Sequence, residues 1–213
     1  EDILGHDLFL CLRQGGLTWG ANNEFISSPR LDDLQCAYGC FRGFMAAESA
    51  SPASIPVYAL LDNEEVGSLT QQGADGTFLR DVLERICGQL GRDLTAVCAN
   101  SFMVSADNAH AVHPNHPELC DAVAQALFTA LCRKAGVPVQ HFANRSDLPG
   151  GSTLGNISNA HVSLPTVDIG LAQLAMHSCF ETAGARDGDY LAQAMTAFFS
   201  ASLQGEDGWY VLA

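Results

Sequence analysis

The run from Ile55 to Leu61 is compact and apolar, and it halts at Asp62-Asn63-Glu64-Glu65. A run this short, ended by polar residues, has the pattern of a central strand leaving a sheet at a polar edge. Other segments repeat the theme. Asp7 to Leu12 reads as a short strand, and Asn23 to Ser28 as a turn followed by a strand end. Leu94 to Ser105 reads as a strand ending at Ala106-Asp107, with further strands over Val137 to Phe142 and Val162 to Ile169. Between them lie helix-length segments. Leu31 to Glu48 is long and rich in Ala, Leu and Phe, and the Ser/Pro/Ala-rich stretch Ser49 to Pro56 after it reads as a loop. Thr77 to Leu90 places Phe78, Leu79, Val82, Leu83, Ile86 and Leu90 on one helical face. Asp121 to Ala135 is amphipathic and closed by Gly136, a C-cap residue, and Asp187 to Leu203 forms a terminal helix. Strands alternating with helices predict an α/β fold, a three-layer sandwich with a central mixed, mostly parallel sheet and helices on both faces. Acidic residues recur where strand runs end, the edge at which open α/β sheets bind ligands.

With 213 residues, 47% of them hydrophobic, the chain has enough apolar material for one sizeable core, and a single domain over residues 1–213 is expected. Ten Lys plus Arg stand against 24 Asp plus Glu, a formal charge of −14. That balance leaves no basic patch for nucleic acid and repels anionic membranes. Eight cysteines sit mostly in apolar runs with no Cys-x-x-Cys pair, which predicts buried, reduced thiols and a cytoplasmic setting. The first residues lack the basic segment of a signal peptide, and no stretch approaches the roughly 20 apolar residues that span a bilayer.

Taken singly, the chemistry-bearing residues have ordinary readings. Asp32-Asp33 suits the acidic first turn of a helix. Glu64-Glu65 suits a solvated turn, Asp107 a turn cap, and His177 a hydrogen-bonded core histidine. Together they say more. Two glutamates directly after an apolar strand either reach solvent or meet cations, since unpaired buried carboxylates are costly. A dinuclear metal site needs a bridging carboxylate, terminal carboxylates or imidazoles, and a separate base for the nucleophilic water. Asp32, Glu64, Glu65, Asp107 and His177 supply most of that set.

Five segments, in order, resemble the aspartyl aminopeptidase family, dinuclear metal aminopeptidases. They are Phe25-Ile26-Ser27-Ser28-Pro29-Arg30-Leu31-Asp32-Asp33-Leu34, Asp62-Asn63-Glu64-Glu65-Val66-Gly67-Ser68, the stretch from Ser105 to Asn115, the glycine-rich loop Arg145 to Gly155, and Thr166-Val167-Asp168-Ile169-Gly170 through Met176-His177-Ser178. The resemblance implies a zinc exopeptidase-like fold and a cytoplasmic, metal-dependent hydrolase that removes N-terminal residues, preferring Asp or Glu. Alternatives are neutral or broad specificity on the same fold, or a non-catalytic binding paralogue. It implies two divalent metal ions, zinc in the family's manner, with cobalt or manganese as substitutes. Asp32 becomes the bridging ligand, Glu64 the general base and Glu65 a terminal ligand sharing one metal with His177. Asp107 binds the other. Gly150, Gly151, Ser152 and Thr153, with Met176 and His110, fall beside the substrate.

His110, His113 and His116 are spaced like a metal cluster, but Pro114 and Pro117 interrupt any helix there, and loop or cleft-wall histidines are the simpler reading. The resemblance also implies a cis peptide between Asp32 and Asp33, where the family usually follows its bridging aspartate with asparagine. Two of its features have no counterpart here: a further metal-ligating histidine in an N-terminal segment with an inserted dimerisation domain, and about two dozen residues between His116-Pro117-Glu118 and Asp121, including a basic substrate contact. The expectation is a catalytic domain drawn from a longer protein that assembles as a dimer-based dodecamer and takes peptides with a free N-terminus.

Overall fold

The computed structural model describes residues 3–48, 54–111, 122–141, 154–206 and 209–212. In chain order the elements are β1 (Leu17–Trp19), β2 (Phe25–Ser28), α1 (Leu34–Ala46), α2 (Glu64–Gly67), α3 (Phe78–Gln89), α4 (Leu94–Ala99), β3 (Met103–Ala106) and β4 (Ala109–His110). They continue as α5 (Ala122–Ala135), α6 (Leu154–Ser158), β5 (Thr166–Ile169), β6 (Ala172–Leu174), β7 (Glu181–Gly184), α7 (Asp187–Ser200), β8 (Leu203–Glu206) and β9 (Trp209–Leu212). Five strands form one sheet in the order β1-β2-β7-β6-β4, while β3 and β5 pair in parallel and β8 and β9 in antiparallel. Within the larger sheet β4 and β6 are parallel and the other pairs antiparallel. The result is the expected mixed α/β fold, with helices flanking the sheet on both sides. Antiparallel pairs outnumber parallel ones among the described strands, however, so the sheet is not mostly parallel.

The core gathers Cys36 and Cys40 of α1, Phe128, Leu131 and Cys132 of α5, Val167 of β5, and Leu191, Ala194 and Met195 of α7. Close approach of α1 to α7 depends on two glycines one turn apart. A Cβ at Gly39 would lie 3.1 Å from Leu191 Cγ, and one at Gly43 would lie 2.9 Å from both Ala192 O and Thr196 N. Any larger residue at Gly43 therefore meets the α7 backbone, which cannot swing aside as a side chain can.

Helical periodicity translated well, since α1, α3, α5 and α7 fall inside the expected segments. Gly136 closes α5 at φ 71, a left-handed conformation open to glycine. Several expected strands are absent. Residues 3–16 contain none, so Asp7–Leu12 is not a strand, and Leu8, Phe9 and Leu10 are exposed. Ile55–Leu61 likewise forms no strand, nor does Val137–Phe142 up to residue 141; Phe142 lies outside the described residues. A strand exists only where a neighbouring strand takes up its backbone groups, and among the described residues no strand pairs with these runs.

Leu94–Ser105 divides instead into α4 and β3. The Asp93 carboxylate accepts the Ala96 N–H at 2.9 Å and caps the helix, so the first half of the apolar run coils. Val162–Ile169 is a strand only from Thr166. The Val162 N–H is committed to Ser158 O at 2.9 Å, and Pro165 has no N–H for a ladder.

All seven described cysteines are free thiols; Cys11 and Cys179 are exposed and the other five buried. No described helix is long and apolar enough to cross a membrane.

Candidate active site

Four connections converge. Asp32 stands between β2 and α1, its peptide to Asp33 cis. Glu64 and Glu65 open α2, following Asn63 in the left-handed region at φ 60. Asp107 directly follows β3, where its N–H is held by Ile169 O at 3.1 Å. His177 lies in the turn between β6 and β7 at φ 65, close behind Ala175 at φ 57. A left-handed backbone at a non-glycine residue costs about 1–3 kcal/mol and persists only when its surroundings hold it.

The turn has such support. Glu181, the first residue of β7 and only 2% exposed, accepts the His177 N–H on Oε1 at 2.8 Å. Its Oε2 accepts the Asp32 N–H at 3.0 Å. From another side, the Asn108 side-chain amide donates to Leu31 O at 2.8 Å and to the carboxamide oxygen of buried Gln173, so the residue before Asp32 is pinned by the residue after Asp107.

Three potential ligand atoms result, from Asp32, Glu65 and His177, all within 4.8 Å of one another. His177 Nε2 lies 3.0 Å from Asp32 Oδ2 and 3.4 Å from Glu65 Oε2. Asp107 is outside this trio yet close enough to influence it. Burial first, then the charges of Glu65 and Asp107, pushes the Asp32 carboxyl up to about 7, with His177 opposing. Burial and the charges of Asp33 and Glu64 push Asp107 to about 7 as well, against the Asn108 N–H that its carboxylate accepts. Asp33 rises to about 6 through burial and the two glutamates. The residue standing where the family usually has asparagine thus adds a further carboxyl to an already crowded anionic site.

Crowded carboxylates with an imidazole between them form a donor set suited to a divalent cation, which replaces mutual repulsion with attraction. The separations suit ligands converging on one ion, and Asp107 extends the carboxyl set toward Glu64 and Asp33. Glu64 accepts a 3.4 Å hydrogen bond from Ser68 Oγ, one turn along α2. The cluster that forms comprises Asp32, Glu65 and His177, with Asp107 coupled to Asp32 through charge and Glu64 acting in turn on Asp107 and Asp33.

Of the expected substrate-side residues, Met176 is half-buried beside His177. His110 is exposed on β4, in register with Gln173. Gly150, Gly151, Ser152, Thr153, His113 and His116 lie outside the described residues, although a short helix does begin at Leu154, directly after Thr153. Glu181, Asn108 and Gln173 were not anticipated. A lone glutamate four residues beyond His177 offers a faint signal, since an acidic residue opening a strand usually faces solvent.

The profile of the aminopeptidase I zinc metalloprotease (M18) family matches residues 1–122 and 118–199. A probable M18 family aminopeptidase 2 of Clostridium acetobutylicum is 40% identical over 227 residues, covering 94% of this chain and 52% of the relative. Ape4 in its complex with Nbr1 superposes with a TM-score of 0.77 at 32% identity, covering 87% of this chain and 41% of that one. The mApe1 dodecamer of S. cerevisiae gives 0.75 at 30% identity, covering 87% and 48%. The chain spans about half the length of the curated relatives it matches. With a family profile matched along most of its length, and a metal-competent cluster formed at the family's motifs, the chain belongs to the aminopeptidase I zinc metalloprotease (M18) family.

Proposed function

We propose that the natural protein is a metal-dependent aminopeptidase that removes single residues from peptide N-termini. The observation that carries this reading is the convergence of Asp32, Glu65 and His177 within 4.8 Å, inside a chain that matches the M18 family. Two divalent cations, zinc in the family's manner, are assigned to the site. Asp32 would be shared between them, with Glu65 and His177 holding one and Asp107 the other. Bound there, the cations supply a Lewis acid and lower the pKa of a water. Glu64 would hold and move the proton, accepting it from the attacking water and returning it to the departing amine. The acidic surroundings of the cluster favour a substrate's free α-ammonium, consistent with cleavage at the terminus.

For the terminal residue itself, neutral or broad preference is the better reading. Among the described residues no lysine or arginine pairs with the cluster, whose ion-pair contacts are carboxylate to histidine. The side chains an acidic group would meet there are carboxyls and one imidazole, with Asp32, Asp33 and Asp107 raised first by burial and then by neighbouring charge. A preference for Asp or Glu is the second reading, favoured by the likeness of the Phe25–Leu34 and Asp62–Ser68 segments to aspartyl aminopeptidases. The dodecameric state of mApe1, together with exposed Leu34, Tyr38, Phe41 and Met45 along α1, supports assembly into a homo-oligomer. A cytoplasmic setting fits the free thiols at Cys11 and Cys179.

The test is hydrolysis of Leu- and Glu-terminated peptides by the natural protein, with zinc supplied and with a chelator. Metal-dependent release of Leu at a rate equal to or above that of Glu supports the reading. Glu strongly over Leu installs the acidic preference. No release with zinc, cobalt or manganese makes the chain a non-catalytic paralogue.

A further inference from the structure

We propose that Glu181 is a positioning residue for the metal site, a buried carboxylate that fixes the separation of Asp32 and His177 by holding both of their backbone amides. This rests on the reading that Asp32 and His177 are metal ligands, and it concerns a residue that contributes no ligand atom to the cluster.

The two residues come from distant parts of the sequence and from different connections, one after β2 and the other between β6 and β7. Strand pairing alone does not set their spacing. The β2–β7 ladder ends at Ser28 opposite Glu181, short of Asp32, and the β6–β7 ladder ends at Leu174 opposite Thr182, short of His177. Both ligand-bearing segments therefore begin where the ladders stop, and Glu181 stands at that point. Its two carboxylate oxygens are divided between them, Oε2 to the Asp32 N–H at 3.0 Å and Oε1 to the His177 N–H at 2.8 Å.

A carboxylate is suited to this task because it is acceptor-only, with two oxygens at a fixed spacing. Its hydrogen bonds to N–H groups are the stronger, charge-assisted kind. At 2% exposure water does not compete for those oxygens. The same bond supports the left-handed backbone of His177, and with it the direction of an imidazole whose side chain is otherwise 64% exposed. Asn108 completes the hold on the Asp32 segment through Leu31 O, but it does not reach the His177 turn. Only Glu181, among the described residues, bonds to both. Partners that orient metal ligands in this way commonly matter about 10- to 100-fold in metal affinity.

The experiment compares Glu181→Gln with Asp32→Asn in the natural protein. It measures zinc affinity by competition with a chromophoric chelator, melting temperature, and kcat and KM separately. Glutamine keeps the shape of the side chain but turns one acceptor into a donor, so one of the two amides faces an N–H. Zinc affinity is expected to fall about 10- to 100-fold in Glu181→Gln, with kcat reduced and KM changed by less than about 3-fold, while the variant still melts cooperatively. Unchanged zinc affinity in Glu181→Gln beside a clear loss in Asp32→Asn overturns the positioning role and leaves the ligand assignment standing. Unchanged affinity in both variants removes the ligand assignment and the positioning role together.

A measurement on the unaltered protein covers the case in which Glu181→Gln does not fold. Amide hydrogen exchange at Asp32 and His177 is expected to be slow in the metal-free protein, despite the exposure of the His177 side chain. Exchange at His177 as fast as at its unbonded neighbours in the turn overturns the proposal.

Discussion

The candidate site has two walls built in different ways. One carries Asp32, His177 and Asp107, mounted at strand ends and tied together through Glu181, Asn108 and Gln173. The other carries Glu64 and Glu65 on α2, a helix of four residues that follows an unpaired, largely exposed stretch. The Asp32 side chain is 4% exposed and that of Glu65 49%. The first wall stores its order in part-buried hydrogen bonds that the buried residues Glu181 and Asn108 make to backbone groups, so its geometry exists before any ligand arrives. The second is more open, with Glu65 exposed and Glu64 half-buried, and is held by Ser68 Oγ on Glu64 and by Asn63, whose side chain bonds Thr70 and Gln72 at 3.3 Å. Positions fixed in advance suit the ligand roles proposed for Asp32, Asp107 and His177, and a looser mount suits the proton transfer proposed for Glu64; Glu65, the ligand proposed on that looser wall, is the exception.

The sharpest way to break this comparison is Glu64→Gln. If the exposed wall supplies chemistry and little structure, kcat falls by about 10²–10⁴, while zinc content and melting temperature stay close to those of the unaltered protein. An equally large loss of zinc would make Glu64 part of the holding wall.

Next in size is Asp32→Asn, measured in the metal-free protein at pH 8. It removes a carboxyl crowded by Glu65 and Asp107, so melting should rise by several degrees even as zinc binding is lost. Glu65→Gln, at an exposed position, should give a smaller rise. Equal rises in differential scanning calorimetry would show that the two walls do not differ in burial cost, and the reverse order would invert the comparison.

The pH dependence of the metal-free protein sharpens the same contrast. Asp32 and Asp107 rise from an ordinary 3.8 to about 7, and Asp33 to about 6. Raised carboxyls favour the folded state when protonated, so the stability they give is fully present below about pH 3.8 and is lost as pH climbs toward 7. Melting temperature should therefore fall across that window, and saturating zinc should reverse most of the fall near neutrality. A flat profile without metal would contradict the crowding.

The smallest effect is expected from Asp75→Asn. Asp75 lies 3.0 Å from His161 and links the loop after α2 to the segment preceding β5. Both groups are partly exposed, so the change should cost less than about 1 kcal/mol, with kcat altered by no more than about 2-fold. A larger loss of activity would mean that the exposed wall is held more firmly than its surface position suggests.

The same division governs what could be read from sequence. Helices announced themselves because periodicity is a local property; Thr77 to Leu90 shows its apolar face without reference to any other segment, although Phe78, Val82, Ile86 and Leu90 on that face are exposed and only Cys87 of the helix is buried. Strands depend on neighbours. Phe25–Ser28 and Thr166–Ile169 found partners, whereas the equally apolar Ile55–Leu61 has none among the described residues. Leu94–Ala99 is a helix whose signal, the Asp93 cap, was present but outweighed by the apolar run that follows. In the site, spacing alone left Asp32, Glu65 and His177 with ordinary readings, and it was the resemblance across five segments that joined them. Glu181 escaped because its importance lies in what it accepts from residues far away in the chain, and no local pattern encodes that. The glycine-rich loop from Arg145 remains a matter of resemblance up to Leu154, where the described structure resumes.

The glycine contact between α1 and α7 has a reach beyond the core. Segment 25–46 and segment 181–200 meet twice, once as the ladder of β2 with β7 and once as the seam of α1 on α7. Asp32 sits on the bend between those two meetings, like a pin in a hinge fastened at both leaves. Neither segment can slide past the other without loosening both fastenings. A single methyl group at Gly43, remote from the cluster, would thus be felt at Asp32 as a change in the spacing of the candidate ligands.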